Sequence, residues 1–178
     1  MPLALIISEI WFLDNEGFER FSAYKFGMDY PEVCRIEFNP KGRREAGDIV
    51  FHFPDREKVY LSWGNLENAQ KKFPTAEQHA EHSLKNVRKD SHAKSVEKIT
   101  QDSLEINSHK AFYNRVKIEE IPSSLFPGKK TVRRQALTVH LHCEATSRYF
   151  VVYALLSSNA PEDFADLFLH MVHSFKCH

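Results

Sequence analysis

The sequence is poor in the features that announce a reaction. Its 178 residues include only 6 glycines. None of them completes a phosphate loop or a dinucleotide turn, and the G-x-S-x-G elbow of hydrolases is missing. A glycine-built phosphate cradle is therefore not expected, and neither is a cofactor. No pair of carboxylates stands out for acid–base work, since Glu119 and Glu120 read as the charged end of a strand.

Cysteine is equally sparse. Cys34, Cys143 and Cys177 are the only three, with no C-x-x-C spacing. An odd, scattered set argues against a disulfide framework or a redox dithiol and fits a reducing, cytoplasmic setting. Charge of one sign is lacking too. Lys plus Arg and Asp plus Glu are 24 each. A neutral chain has no broad positive field, so nucleic acid is an unlikely partner on composition alone. The longest apolar run near the start, "MPLALIISEIWFLD", is interrupted by Glu9, has no basic flank and is too short to span a bilayer. It reads as a core strand over Ile6 to Leu13. No repeat, low-complexity tract or linker divides the chain, so 1–178 is expected to be one domain.

Strand and helix periodicities are abundant. "VCRIEF" alternates Val33, Arg35 and Glu37 against Cys34, Ile36 and Phe38. "DIVFHF" and "VYLSW", joined by "PDREK", predict a β-hairpin with Ile49, Phe51, Phe53, Val59, Leu61 and Trp63 facing inward. Thr75 with Gln78 three residues on is a capping-box spacing, and Ala76, Ala80, Leu84 and Val87 form a helical stripe ending near Asp90. Four extended segments follow: Ser95 to Ile106, the run "AFYNRVKIEEI", Gln135 to Glu144, and "RYFVVYALL". The last is apolar at every second position in both phases, which predicts a strand covered on both sides. Asn159, Pro161 and Glu162 open a final helix whose stripe is Phe164, Leu167, Phe168, Met171, Val172 and Phe175. This order predicts an α+β fold: a mostly antiparallel sheet of six to seven strands with helices on both faces, an α/β/α sandwich.

Four segments resemble the PsbP-like family, whose fold is shared by the extrinsic PsbP subunit of photosystem II and a Ran-GTPase-binding import factor. They are "GDIVFHFPDREKVYLSWG", "FPTAEQHAEHSLKNVRK", "INSHKAFYNRVKIE" and "RYFVVYALLSSNAPEDFADLFLHMVHSFK". The chain departs from the pattern at Asn107-Ser108, where a Gly is usual, and lacks a Trp shortly after Pro31. The resemblance implies a binding or assembly role toward a protein partner rather than an enzyme.

Two sets of residues are candidates for a site. In "ALTVHLHCEA" strand alternation places His140 and His142 on one face and Cys143 on the other. Two histidines about 7 Å apart can both ligate a metal, and His109 or His52 is the candidate third ligand. His79, His82, His170 and His173 fall at the edge or outside of their helical stripes, and Cys177-His178 reads as a frayed tail. The second set is basic: Lys41, Arg43 and Arg44 in one loop, and Lys129, Lys130, Arg133 and Arg134 in another. Were both loops at one end of the sheet, they would form one patch for phosphate, RNA or an acidic protein surface. Phe126, beside the second cluster, is a candidate aromatic anchor for a protein partner.

Overall fold

In the computed structural model residues 17–89, 93–121 and 131–178 are described. The strand expected over Ile6–Leu13 lies outside them, as do Phe126, Lys129 and Lys130. A two-stranded hairpin comes first, β1 (Phe18–Ala23) and β2 (Phe26–Pro31). Then follow β3 (Arg35–Phe38), β4 (Gly47–His52), β5 (Lys58–Asn65), α1 (Leu66–Gln70), α2 (Ala76–Lys89), β6 (Ala93–Ile106), β7 (His109–Glu120), β8 (Val132–Cys143), β9 (Arg148–Leu156) and α3 (Phe164–His173). The seven later strands form one antiparallel sheet in the order β3-β4-β5-β9-β8-β7-β6.

Alternation decides what each face buries. One face, called inner here, carries Ile49, Phe51, Val59, Leu61, Trp63, Leu137, Val139, Leu141, Phe150, Val152 and Ala154. It packs against the stripe of α3 and against Phe21, Phe26, Met28 and Tyr30 of the first hairpin. On the opposite, outer face α2 lies over β6, β7 and β8, through a small cluster of Leu84, Val87, Val116 and Ile118, and reaches β9 at Tyr149. The sandwich is therefore complete on one side and partial on the other.

Helix and turn chemistry explain the boundaries. Thr75 accepts a hydrogen bond at Oγ1 from the Gln78 amide at 3.2 Å, so the cap read from the sequence forms. The β6–β7 turn places Asn107 and Ser108 at φ 49° and 62°, two successive left-handed residues that close a tight hairpin.

Three expectations need correcting. The last helix begins at Phe164, not at Pro161; Asp163 is its N-cap residue and makes no side-chain cap. β9 is covered on both sides only at its start, where His79 of α2 packs edge-on against Tyr149 with ring centroids 5.1 Å apart; farther along, Tyr153 is 37% and Leu155 38% exposed on the outer face. Cys177 is not frayed. Lys176 exchanges two backbone hydrogen bonds with Gly27 of β2, at 2.8 and 2.9 Å, and Phe175 and Cys177 are buried. A stripe at helical spacing does not report that the residues after the helix pair with another strand.

Candidate binding sites on the two sheet faces

His140 and His142 project from the outer face of β8, as alternation requires, and α2 covers them. His140 is 1% exposed. Its Nε2 lies 3.1 Å from the Ser83 hydroxyl, which itself donates to the His79 carbonyl. One hydroxyl proton cannot serve both contacts, so His140 donates through Nε2–H and its Nδ1 is a bare acceptor. That Nδ1 is buried without a partner, as are both amide atoms of Asn114 on the neighbouring strand. His79 of α2 sits against both rings, its Nδ1 3.4 Å from His142 Nε2 and its ring centroid 4.9 Å from that of His140. Burial pushes His140 down to about 3 and His79 down to about 4, with neighbouring imidazoles adding to both shifts; burial also lowers His142. The three rings are neutral at ordinary pH. Their nitrogens do not converge on one point, and among the described residues no third ligand completes a metal site around His140 and His142. His52 lies on β4 and contacts Glu37 at 2.8 Å.

His109 is on the other face. At the start of β7 it lies beside Cys143, its Nε2 3.7 Å from the sulfur. It therefore joins the cysteine that alternation had separated from His140 and His142. Cys177 and His178, set aside in the sequence as a tail, lie at the same place.

The basic clusters are split. Lys41, Arg43 and Arg44 occupy the β3–β4 loop, beside Trp63 and Arg148, whose side chains donate to the Arg43 and Arg44 carbonyls at 2.9 and 3.4 Å. Trp63 is in line with Phe150 and Leu141 across the sheet. Arg133 is eight positions earlier on β8, roughly 26 Å away along the strand. Lys41, Arg43 and Arg44 thus lie at the opposite end of the sheet from Arg133 and Arg134, and these described residues share no patch. Instead Arg133 and Arg134 join Arg115 and Lys117 of β7 around a groove of about 580 Å³, walled by Ser157, Ser158 and Glu162 before α3. Arg133 and Arg134 also pair with Glu119 and Glu120 at 3.1 and 3.2 Å. Arg115 and Lys117 escaped the sequence reading, although alternation in "AFYNRVKIEEI" puts them on the face of Ala111 and Tyr113. Their charges alternate with strand residues instead of forming a run, so they make no cluster in the sequence.

The uncovered part of the outer face has a distinct make-up. Across β4, β5 and β9 the register lines up Val50, Tyr60 and Tyr153. The two tyrosine rings stack with centroids 4.6 Å apart and planes 6° from parallel. Val151 and Leu155 flank them on β9.

With that geometry in hand, comparison with solved structures is informative. The chain superposes on the solution structure of the cyanobacterial PsbP (CyanoP) of Synechocystis with a TM-score of 0.65, covering 94% of this chain and 96% of that one at 11% identity. The fold is PsbP-like. A crystal structure from Bacteroides thetaiotaomicron matches with a TM-score of 0.50 and 12% identity, over 91% of this chain and 49% of that one. No family model and no curated protein matches the sequence. At these identities the PsbP-like likeness covers architecture alone, and no site residue is carried across. No described helix is long and apolar enough to cross a membrane.

Proposed function

We propose that this PsbP-like chain is a non-catalytic binding or assembly domain, and that it meets a protein partner on the open part of its outer sheet face. The observation that carries this reading is the stacked Tyr60–Tyr153 pair, set among Val50, Val151 and Leu155 and roofed by no described element. An exposed aromatic and aliphatic patch on a flat sheet face is the usual raw material of a protein interface. Tyrosine gives such surfaces large area at low entropic cost, and aromatic anchors dominate binding energy. Three free, buried cysteines suit a reducing compartment, and cytoplasmic residence is part of the proposal. A photo-crosslinking amino acid at Tyr153 should trap one protein in native cells, whereas one at Lys110 should not. Replacing Tyr60 and Tyr153 together by Ser should weaken capture at least tenfold while leaving the unfolding free energy from urea titration within about 1 kcal/mol of the parent. Unchanged capture by the double variant would end this reading.

A second reading rests on the groove that gathers Arg115, Lys117, Arg133 and Arg134. Glu119, Glu120 and Glu162 offset part of this charge, but the Glu119 and Glu120 pairs are surface ones worth at most about 1 kcal/mol each. An acidic segment or a phosphate could displace them. Retention on a polyanion resin should fall steeply between low and moderate salt, and Arg133→Ala/Arg134→Ala should reduce it further. Retention that ignores both salt and the substitutions would remove the anion reading.

A further inference from the structure

We propose that His109, Cys143, Cys177 and His178 form a closed, zinc-class metal site that fastens the segment after α3 to the end of the β7–β8 ladder. One ligand atom from each of the four residues can be chosen so that all lie within 4.8 Å of one another. The fold brings them together by three separate routes. The tight Asn107–Ser108 turn delivers His109 at the first position of β7. Cys143 ends β8, the adjacent strand, and points to the same inner face. The Lys176–Gly27 bridge and the burial of Phe175 steer Cys177 and His178 onto that end. No sequence motif announces the set, because its members are 34, 34 and 1 residues apart.

The separations fit a tetrahedron. With metal–sulfur bonds of about 2.3 Å and metal–nitrogen bonds of about 2.0 Å, a sulfur and a nitrogen on one tetrahedral ion stand roughly 3.5 Å apart. Cys143 Sγ is 3.7 Å from His109 Nε2 and 3.7 Å from His178 Nδ1, and Cys177 Sγ is 3.3 Å from His178 Nδ1. Two thiols and two imidazoles are the donor set of structural zinc, and four protein ligands leave no open position for a reacting water. Two thiolates would also neutralise the dication, which suits a place where both cysteines are fully buried. Outer partners are present. The Asn107 amide donates to Cys177 Sγ at 3.4 Å, the outer hydrogen bond that zinc thiolates characteristically accept. The buried guanidinium of Arg148, register partner of Cys143, favours the thiolate form of its neighbours. A cluster of thiol–imidazole hydrogen bonds would give similar distances, so metal content decides.

The test uses the full chain without a histidine tag, purified by conventional chromatography from zinc-supplemented cells. Elemental analysis should find one zinc per chain. Cobalt(II) added to the zinc-free protein should give the intense visible bands of a tetrahedral ion together with thiolate-to-metal charge transfer. His109→Ala and His178→Ala remove one half-buried and one exposed ring, so both variants should fold, as near-ultraviolet circular dichroism will show. Each should weaken cobalt affinity at least a hundredfold. Cys143→Ser should roughly halve the charge-transfer band, since only the Cys177 thiolate remains, or else leave the chain unable to fold, in which case the two histidine variants decide. Zinc-free protein that gives no tetrahedral cobalt spectrum would overturn the proposal. So would cobalt binding that His109→Ala and His178→Ala leave intact, since the ion would then sit elsewhere.

Discussion

Acidification from pH 6.5 toward pH 4 should loosen α2 from the sheet while the inner core persists. The cause is the histidine layer under that helix. In the unfolded chain each imidazole accepts a proton near pH 6.5. In the folded chain burial holds His140 down to about 3 and His79 down to about 4. Between those limits the unfolded state binds more protons than the folded one, so stability falls as pH falls, and it is flat above about pH 7. His140 is almost fully buried, and a shift of that size corresponds to something on the order of 5 kcal/mol at full development. Other groups around the layer are His142, whose pKa burial lowers and Glu144 raises, and His82 on the exposed side of α2, whose charge adds to the depression of His79. Helix α2 has little else to hold it, since its apolar contacts form a cluster separate from the main core. The urea midpoint of the parent should therefore drop steadily from pH 6.5 to pH 4. That of His140→Leu should drop less steeply, by about one proton. Amide signals of Ala76–Lys89 should weaken before those of β5 and β9. Parallel pH profiles for parent and variant would show that His140 does not carry the effect.

The features legible in the sequence are those that obey a short period. The hairpin β4–β5, the cap at Thr75 and the antiparallel run β6 to β9 all follow from residues near one another in the chain, and the structure places them as expected. The opposite faces of Cys143 and His140 were equally readable, because a strand has only two sides. What escaped was long-range convergence. Nothing in "HSFKCH" reports that Lys176 will bridge to Gly27, yet that bridge turns an apparent tail into a buried element. The hairpin of β1 and β2 is hard to read from the sequence for a similar reason. "FERFSA" has its two large apolar residues, Phe18 and Phe21, in opposite phases of a strand, so no alternation shows, and its turn uses Tyr24 and Lys25 at φ 48° and 67° rather than glycine or asparagine. The extent of cover on the outer face also lay beyond periodicity. The stripe of α2 shows that the helix packs on something, but not how many strands a 14-residue helix reaches.

Arg148→Ala should be among the most damaging single changes in the chain, at about 3–4 kcal/mol. Arg148 is 4% exposed at the first position of β9, and it is held by carbonyls and rings. Its Nη2 donates to the Tyr24 carbonyl at 2.9 Å and its Nη1 to the Arg44 carbonyl at 3.4 Å. The guanidinium lies over Phe26 and Phe150, 5.2 and 5.3 Å from their centroids. One side chain thus clasps the β1–β2 turn and the β3–β4 loop to the central strand. Burial lowers its pKa, yet arginine remains charged, so the guanidinium's desolvation must be offset by these contacts. Truncation to Ala removes two charge-assisted hydrogen bonds and a cation–π site and leaves a cavity beside Phe26 and Phe150. In a domain of this size the loss should lower the melting temperature by about 10 °C. Arg148→Met separates the contributions. It keeps most of the apolar volume and removes the buried charge together with its desolvation cost, so it should cost only about 1–2 kcal/mol. Arg148→Lys keeps the charge but cannot present two donors in a fork, and it should be worse than Met. That order, Ala worst, then Lys, then Met, is what a carbonyl clasp predicts. If Met were as harmful as Ala, the hydrogen bonds would be the whole of the effect. If all three variants melted within a degree or two of the parent, the β1–β2 turn and the β3–β4 loop would have to be held by something other than Arg148.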